Sequence, residues 1–259
     1  MSVEVLGFDE FNTEYLDEID KSFLNHLQKD TELICSKTEK ADSLRSFFDI
    51  TKGCFIHLYG EHLKLVRNDF ENLYEAPFEF ELLEERYSGE IPFLISERCK
   101  DIYKGLPVLP FSFVNEAMYA EISEIDLILH NRELLKLFFK YKRLFGKIYE
   151  SKADEFFVSK AEELFIGCPK AFESFKKYFN DIFSRFYIRS VRDYYVIEPL
   201  LAAGFQTLVL LLFAITYKES KKEMNIEAFE GLIKNVDKLF ENSAAMRERN
   251  MDRIRQKLF

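Results

Sequence analysis

The chain has 259 residues, 47% of them hydrophobic, with 28 Phe, no Trp and 9 Gly; it holds apolar mass for one large domain or two small ones, which excludes a disordered polymer. Net charge is -9, and residues 1–100 carry 22 acidic against 11 basic side chains. That balance argues against binding duplex DNA, because phosphate contacts need clustered Lys and Arg.

The chain start, Ser2 to Asp9, has neither a basic nor an apolar leader segment, so no secretory signal is expected there. Cys35, Cys54, Cys99 and Cys168 lie far apart in sequence, which points to free thiols in a reducing, cytoplasmic setting rather than a disulfide frame. Asn12 is placed to cap a first helix, whose Leu16, Ile19, Phe23 and Leu27 recur at steps of three and four up to about Cys35. A shorter helical stretch follows through Leu44, Phe47 and Phe48.

From residue 53 to 112 the texture changes. Gly53, Gly60, Gly89, Pro92, Gly105, Pro107 and Pro110 punctuate the run, and two short strands, residues 54–59 and 62–67, are expected around Gly60-Glu61 in a compact irregular or small-hairpin segment. This segment holds Ile91-Pro92-Phe93-Leu94, then Arg98-Cys99-Lys100-Asp101-Ile102-Tyr103, then Leu106-Pro107-Val108-Leu109-Pro110-Phe111-Ser112-Phe113. The run resembles the second half of the cysteine-cluster zinc- or iron-chelating (YkgJ-like) family, whose pattern is Cys-Pro-Phe-Leu, Cys-x-Ile-Tyr, and Arg-Pro-x-x-Cys-Arg-x-Phe-Pro. Ile91 and Pro110 stand where two of its cysteines would be, and Cys99 keeps the third. Cys54 stands near the place of the family's closely spaced first cysteines, followed by Lys64-Leu65-Val66-Arg67 and Asn68-Asp69-Phe70-Glu71 in the manner of its extended piece and helix start. The resemblance implies a scaffold whose metal ligands are mostly gone.

From Asn115 the pattern is helical. Ile122, Ile125, Leu129, Leu134, Leu137, Phe138, Tyr141, Leu144, Phe145 and Ile148 trace one stripe with a break near His130-Asn131. Gly167-Cys168-Pro169 reads as a helix stop followed by a helix start. A helix over residues 172–187 precedes the uncharged stretch 199–217. That stretch is long enough to span a bilayer, yet Gly204, Gln206 and Thr207 and the amphipathic helices around it favour a core helix buried on all sides. Asn225 is placed to cap a last helix carrying Ile226, Phe229, Ile233, Val236 and Phe240. The order of elements, with Tyr178-Phe179, Phe183-Ser184-Arg185-Phe186, the apolar helix and Glu241-Asn242-Ser243, resembles the helical C-terminal part of the flagellin lysine-N-methylase (FliB-like) family. That family also begins with a cysteine-rich cluster.

The fold expected is mainly α, with N-terminal helices, the irregular segment, and a C-terminal bundle around one buried apolar helix. Two regions are drawn, a degenerate cysteine-cluster-like region at 1–114 and a helical bundle at 115–259. Metal candidates are Cys54 and Cys99, with Cys35 and Cys168 as further ones, for zinc or an iron-sulfur cluster. A four-ligand site needs donors at about 2.0–2.3 Å, usually supplied as close pairs, and no Cys-x-x-Cys or Cys-Cys occurs. Burial as small apolar residues is the competing account of such thiols, and no cofactor is the first expectation. His57 and His62, five apart, fall on opposite faces of an extended segment, while His26 and His130 read as ordinary polar residues.

Neither a nucleophile elbow, a phosphate-binding glycine loop nor a calcium loop occurs, so no catalytic residue is assigned. Lys136, Lys140, Lys142, Arg143 and Lys147, and again Lys176, Lys177, Arg185, Arg189 and Arg192, are interleaved with aromatics. This is a pattern for anionic protein surfaces or RNA, and equally the polar face of amphipathic helices. The functional expectation is a non-catalytic binding or regulatory protein with a protein partner and no membrane span. A metal- or iron-sulfur-dependent protein-modifying enzyme, lysine N-methylase-like, is the alternative.

Overall fold

A computed structural model of the chain describes residues 18–66, 114, 131–145, 150–193, 196–221 and 223–241. Their helices are α1 (Glu18–Glu39), α2 (Leu44–Val66), α3 (Arg132–Phe145), α4 (Glu150–Gly167), α5 (Pro169–Tyr187), the single turn α6 (Ser190–Asp193), α7 (Glu198–Lys221) and α8 (Ile226–Glu241). The mainly α expectation holds, and no strand occurs among the described residues.

In α1, Phe23, Leu27, Ile34 and Cys35 are buried at helical spacing, and Thr31 and Thr38 return their hydroxyls to backbone carbonyls one turn back. The helix tightens at its end through the Lys40 N–H on the Lys37 carbonyl at 3.1 Å and the Ala41 N–H on the Thr38 carbonyl at 3.2 Å. Ser43 then caps α2, its Oγ accepting the Ser46 N–H at 3.2 Å.

α2 corrects one expectation. Residues 53–66 are helical rather than a hairpin, because Leu44, Phe47, Phe48, Thr51, Cys54, Phe55 and Leu58 form one continuous buried stripe that runs straight past Gly53. Two helical glycines cost about 1 kcal/mol each relative to Ala. Burial of that stripe outweighs them: Phe47 alone meets Phe175 and Phe179 of α5 edge-on, both with centroids 5.1 Å away. Of the segment drawn from 53 to 112, residues 67–112 lie outside the described part, as do Cys99, the run 91–113 and Asn12.

Expected joints are found. Asn131 accepts the Leu134 N–H at 3.2 Å at the start of α3 and donates to Asn235 of α8 at 3.1 Å. Gly167 ends α4, and Pro169 opens α5 where its missing N–H is no loss. Asn225 accepts the Ala228 N–H at 2.9 Å and caps α8.

The centre is α7, which packs against α2, α3, α4, α5 and α8. Its run from Leu208 to Ile215 is buried without a break, and Thr207 and Thr216 satisfy their hydroxyls on carbonyls of their own helix. The stretch Glu198–Ser220 is long and apolar enough to cross a membrane, yet 83% of its 18-residue apolar window is buried inside this chain. α5 joins the halves: it packs on α7 and α8 on one side and on α1 on the other. The side chains of α1 and α2 therefore enter the same core as those of the C-terminal helices.

Candidate functional site

α1 and α5 run antiparallel, and along their seam each step forward on α1 is matched by a step back on α5. Asp30 meets Tyr187, Cys35 meets Ser184, Thr38 meets Asn180, and the end of α1 meets Lys176. One polar contact per helical turn is what two antiparallel helices present when polar residues occupy facing positions three or four apart.

The densest point is the Asp30 carboxylate, 6% exposed. Its Oδ2 receives the Tyr187 hydroxyl at 3.1 Å and lies 3.3 Å from His26 Nε2 and 3.5 Å from His57 Nε2. His26 is one turn before Asp30 on α1, His57 comes from α2, and Tyr187 is the last residue of α5. Burial pushes this carboxyl up, but the His57 and His26 imidazoles beside it and the Tyr187 hydroxyl outweigh it and hold Asp30 below the usual carboxylate range.

One to two turns further on are the thiols. Cys35 Sγ is 3.6 Å from Ser184 Oγ, and burial pushes the Cys35 thiol up to about 12, with Glu39 and Asp181 adding to the rise against the Ser184 contact. Burial pushes Cys54 up as well, and Cys35 and Asp30 lie near enough to add to it. Both are neutral thiols near neutral pH, the opposite of an activated nucleophile. Thr38 donates to Asn180 Oδ1 at 2.6 Å, and Lys176 Nζ donates to the carbonyls of Glu39 and Ala41, both at 2.9 Å, closing the C-terminal end of α1 with a buried cation.

Of the expected metal candidates, Cys35 and Cys54 are brought to one seam. Cys168 stands at the other end of α5, sixteen residues and about 24 Å from Ser184 along the helix, so it shares no ion with Cys35. Among the described residues no three His, Cys, Asp or Glu side chains are grouped to hold a metal ion. These described thiols alone therefore do not make a zinc or iron-sulfur ligand set. His57 is on a helix, not in a strand, and His26, read as an ordinary polar residue, lies beside the Asp30 carboxylate. The usable signal for that cluster was Asp30 itself, a carboxylate on the apolar stripe between Leu27 and Ile34, where an acid is rarely buried unless paired.

The two basic groups separate. On α5, Lys176 is consumed by α1 and Arg185 pairs with Asp237 at 3.2 Å, and just beyond its end Arg189 covers the Phe186 ring at 5.4 Å. On α3, Arg132, Lys136 and Arg143 are exposed, and Lys140 and Lys142 are half-buried. A shallow pocket of about 180 Å³ between α5 and α8 is lined by Lys177, Asp181, Glu230 and Lys234 among others, charges of both signs, and no member of the Asp30 cluster opens on it. No family model, curated protein or solved structure matches this chain.

Proposed function

We propose that this chain is a non-catalytic binding or regulatory protein, a helical scaffold that acts on a protein partner. One observation carries the reading: among the described residues, Asp30, His57, Tyr187, Cys35, Ser184 and Cys54 gather their chemistry in the α1–α2–α5 seam, buried against one another. A general base or nucleophile has to come within hydrogen-bond reach of a substrate, and these groups spend that reach on holding three helices together. The resemblance to a cysteine-cluster scaffold with Ile91 and Pro110 at ligand positions supports the same reading. Free thiols at Cys35, Cys54 and Cys168 support a reducing, cytoplasmic setting.

Elemental analysis and the visible spectrum of anaerobically purified protein test it. Metal-free, fully folded protein is expected. Stoichiometric iron or zinc that disappears in Cys54→Ser and Cys99→Ser overturns the reading in favour of a metal-dependent protein-modifying enzyme.

A further inference from the structure

α3 carries a face that the bundle does not use. Leu134, Leu137, Phe138, Tyr141 and Phe145 turn inward. On the opposite side Arg132, Lys136, Phe139 and Arg143, all exposed, fall on one line, because steps of four, three and four residues bring a helix back to the same azimuth. The line is about 16 Å long at 1.5 Å per residue. Lys140 flanks it on the side where Leu144 is also exposed.

Two properties set this stripe apart from an ordinary solvated face. Phe139 is 62% exposed at its middle, with cations on both sides along the helix. Arg132, Lys136, Lys140 and Arg143 form no ion pair among the described residues, whereas Lys142, the remaining cation of α3, covers the Phe138 ring at 4.6 Å. With Glu133 as its one acid, α3 is a positive strip on a chain of net charge -9.

We infer that this face of α3 docks an acidic amphipathic helix of a partner protein, with carboxylates against Arg132, Lys136 and Arg143 and an apolar side chain over Phe139. The inference rests on the binding-protein reading above and names its partner class. Carboxylates pair with guanidinium and ammonium groups, a central exposed aromatic ringed by polar groups is the usual anchor of an interface, and helix pairing is a recurring way to read such a stripe. A nucleic acid fits less well: a long polyanion is repelled by the rest of an acidic chain, and stacking of successive bases needs more than one exposed ring. An anionic membrane also fits less well, since the broad apolar face of α3 is spent on the bundle and leaves no continuous apolar side to insert.

Fluorescence anisotropy of the full chain tests this, with a labelled short helical peptide that presents glutamates around a central leucine, a copy with glutamines in their place, single-stranded RNA of mixed sequence, and phosphatidylserine-containing vesicles. The glutamate peptide is expected to bind with an affinity that falls as salt rises. Lys136→Glu with Arg143→Glu should weaken it about tenfold or more, and Phe139→Ser should weaken it with the helical circular dichroism unchanged. The inference is overturned if the glutamate peptide fails to bind, if the glutamine copy binds equally, or if RNA or vesicles bind more tightly through the same residues. Such a result leaves the binding-protein reading standing, because that reading is decided separately by the metal analysis.

Discussion

Tyr187 donates its hydroxyl to Asp30 at 3.1 Å across 157 positions of sequence, and thereby ties the end of α5 to the second turn-pair of α1 at the point where His57 of α2 also arrives. Three helices share one carboxylate oxygen. Tyr187→Phe removes one hydrogen bond to an ionised group and is expected to cost about 1.5–3 kcal/mol, read from the urea midpoint. Asp30→Ala should cost more than Tyr187→Phe, because it removes the shared partner of the Tyr187 hydroxyl, His57 and His26 at once.

The pH dependence of the same group has a defined sign. Asp30 has a folded-state pKa below its unfolded value of about 3.9. Its contribution to stability is therefore present in full above that unfolded value and is lost as pH falls through the folded one. Comparing urea unfolding at successive pH values from neutral to below pH 4, wild type should lose stability more steeply on acidification than Asp30→Asn. Parallel curves would show that Asp30 is not held ionised in the core.

Lys176 is a cation only 4% exposed that serves two carbonyls at the end of α1 and also meets the exposed Glu173 at 3.0 Å. Lys176→Met keeps the stem and removes the donor, leaving the Glu39 and Ala41 carbonyls without it; a loss of about 1–3 kcal/mol is expected. Glu173→Gln touches only a solvent-screened pair and should change stability by less than about 1 kcal/mol. Equal effects would place the role of Lys176 in the ion pair instead of the cap.

The helices were legible wherever the cue was local. Asn131, Asn225 and the Gly167-Cys168-Pro169 joint announce their boundaries within three residues, and the uncharged run of α7 announces its burial by length. α2 was misread because Gly53 and Gly60 look like punctuation, while the stripe from Leu44 to Leu58 that overrides them has meaning only once α5 supplies Phe175 and Phe179 to receive it. The seam was less legible still. Asp30 on an apolar stripe signals that some partner exists, but Tyr187, Ser184, Asn180 and Lys176 become its neighbours through antiparallel packing that no short window of sequence contains. The basic groups of α3 and α5 look alike as sequence, and packing alone gives Lys176 and Arg185 partners within the bundle while Arg132, Lys136 and Arg143 stay exposed.

Gly204 in α7 and Gly231 in α8 stand in helix interiors where an added Cβ meets no atom within 4 Å. Alanine at each removes backbone freedom from the unfolded chain without a clash, so Gly204→Ala and Gly231→Ala should each raise stability by up to about 1 kcal/mol. Thermal unfolding followed by circular dichroism reads the gain. A loss at either position would mean that the added methyl group displaces a neighbour.

The thiols give the prediction with most bearing on function. Attack on an alkylating reagent needs the thiolate and access to it, and Cys35, its pKa pushed up to about 12, offers neither near neutral pH. Cys54 is fully buried and raised as well. Cys168 is partly exposed at the start of α5. Iodoacetamide labelling of native protein followed by peptide mass spectrometry should therefore modify Cys168 well before Cys35 and Cys54, which should react only as fast as the α1–α2–α5 seam opens, and in step with each other because one seam holds both. Tyr187→Phe should speed labelling of Cys35 and Cys54 together while leaving Cys168 unchanged. Rapid labelling of Cys54 in the native wild type would mean an accessible, ionised thiol, the property a metal-ligating or nucleophilic cysteine requires, and would count against a scaffold that keeps its thiols only as packing.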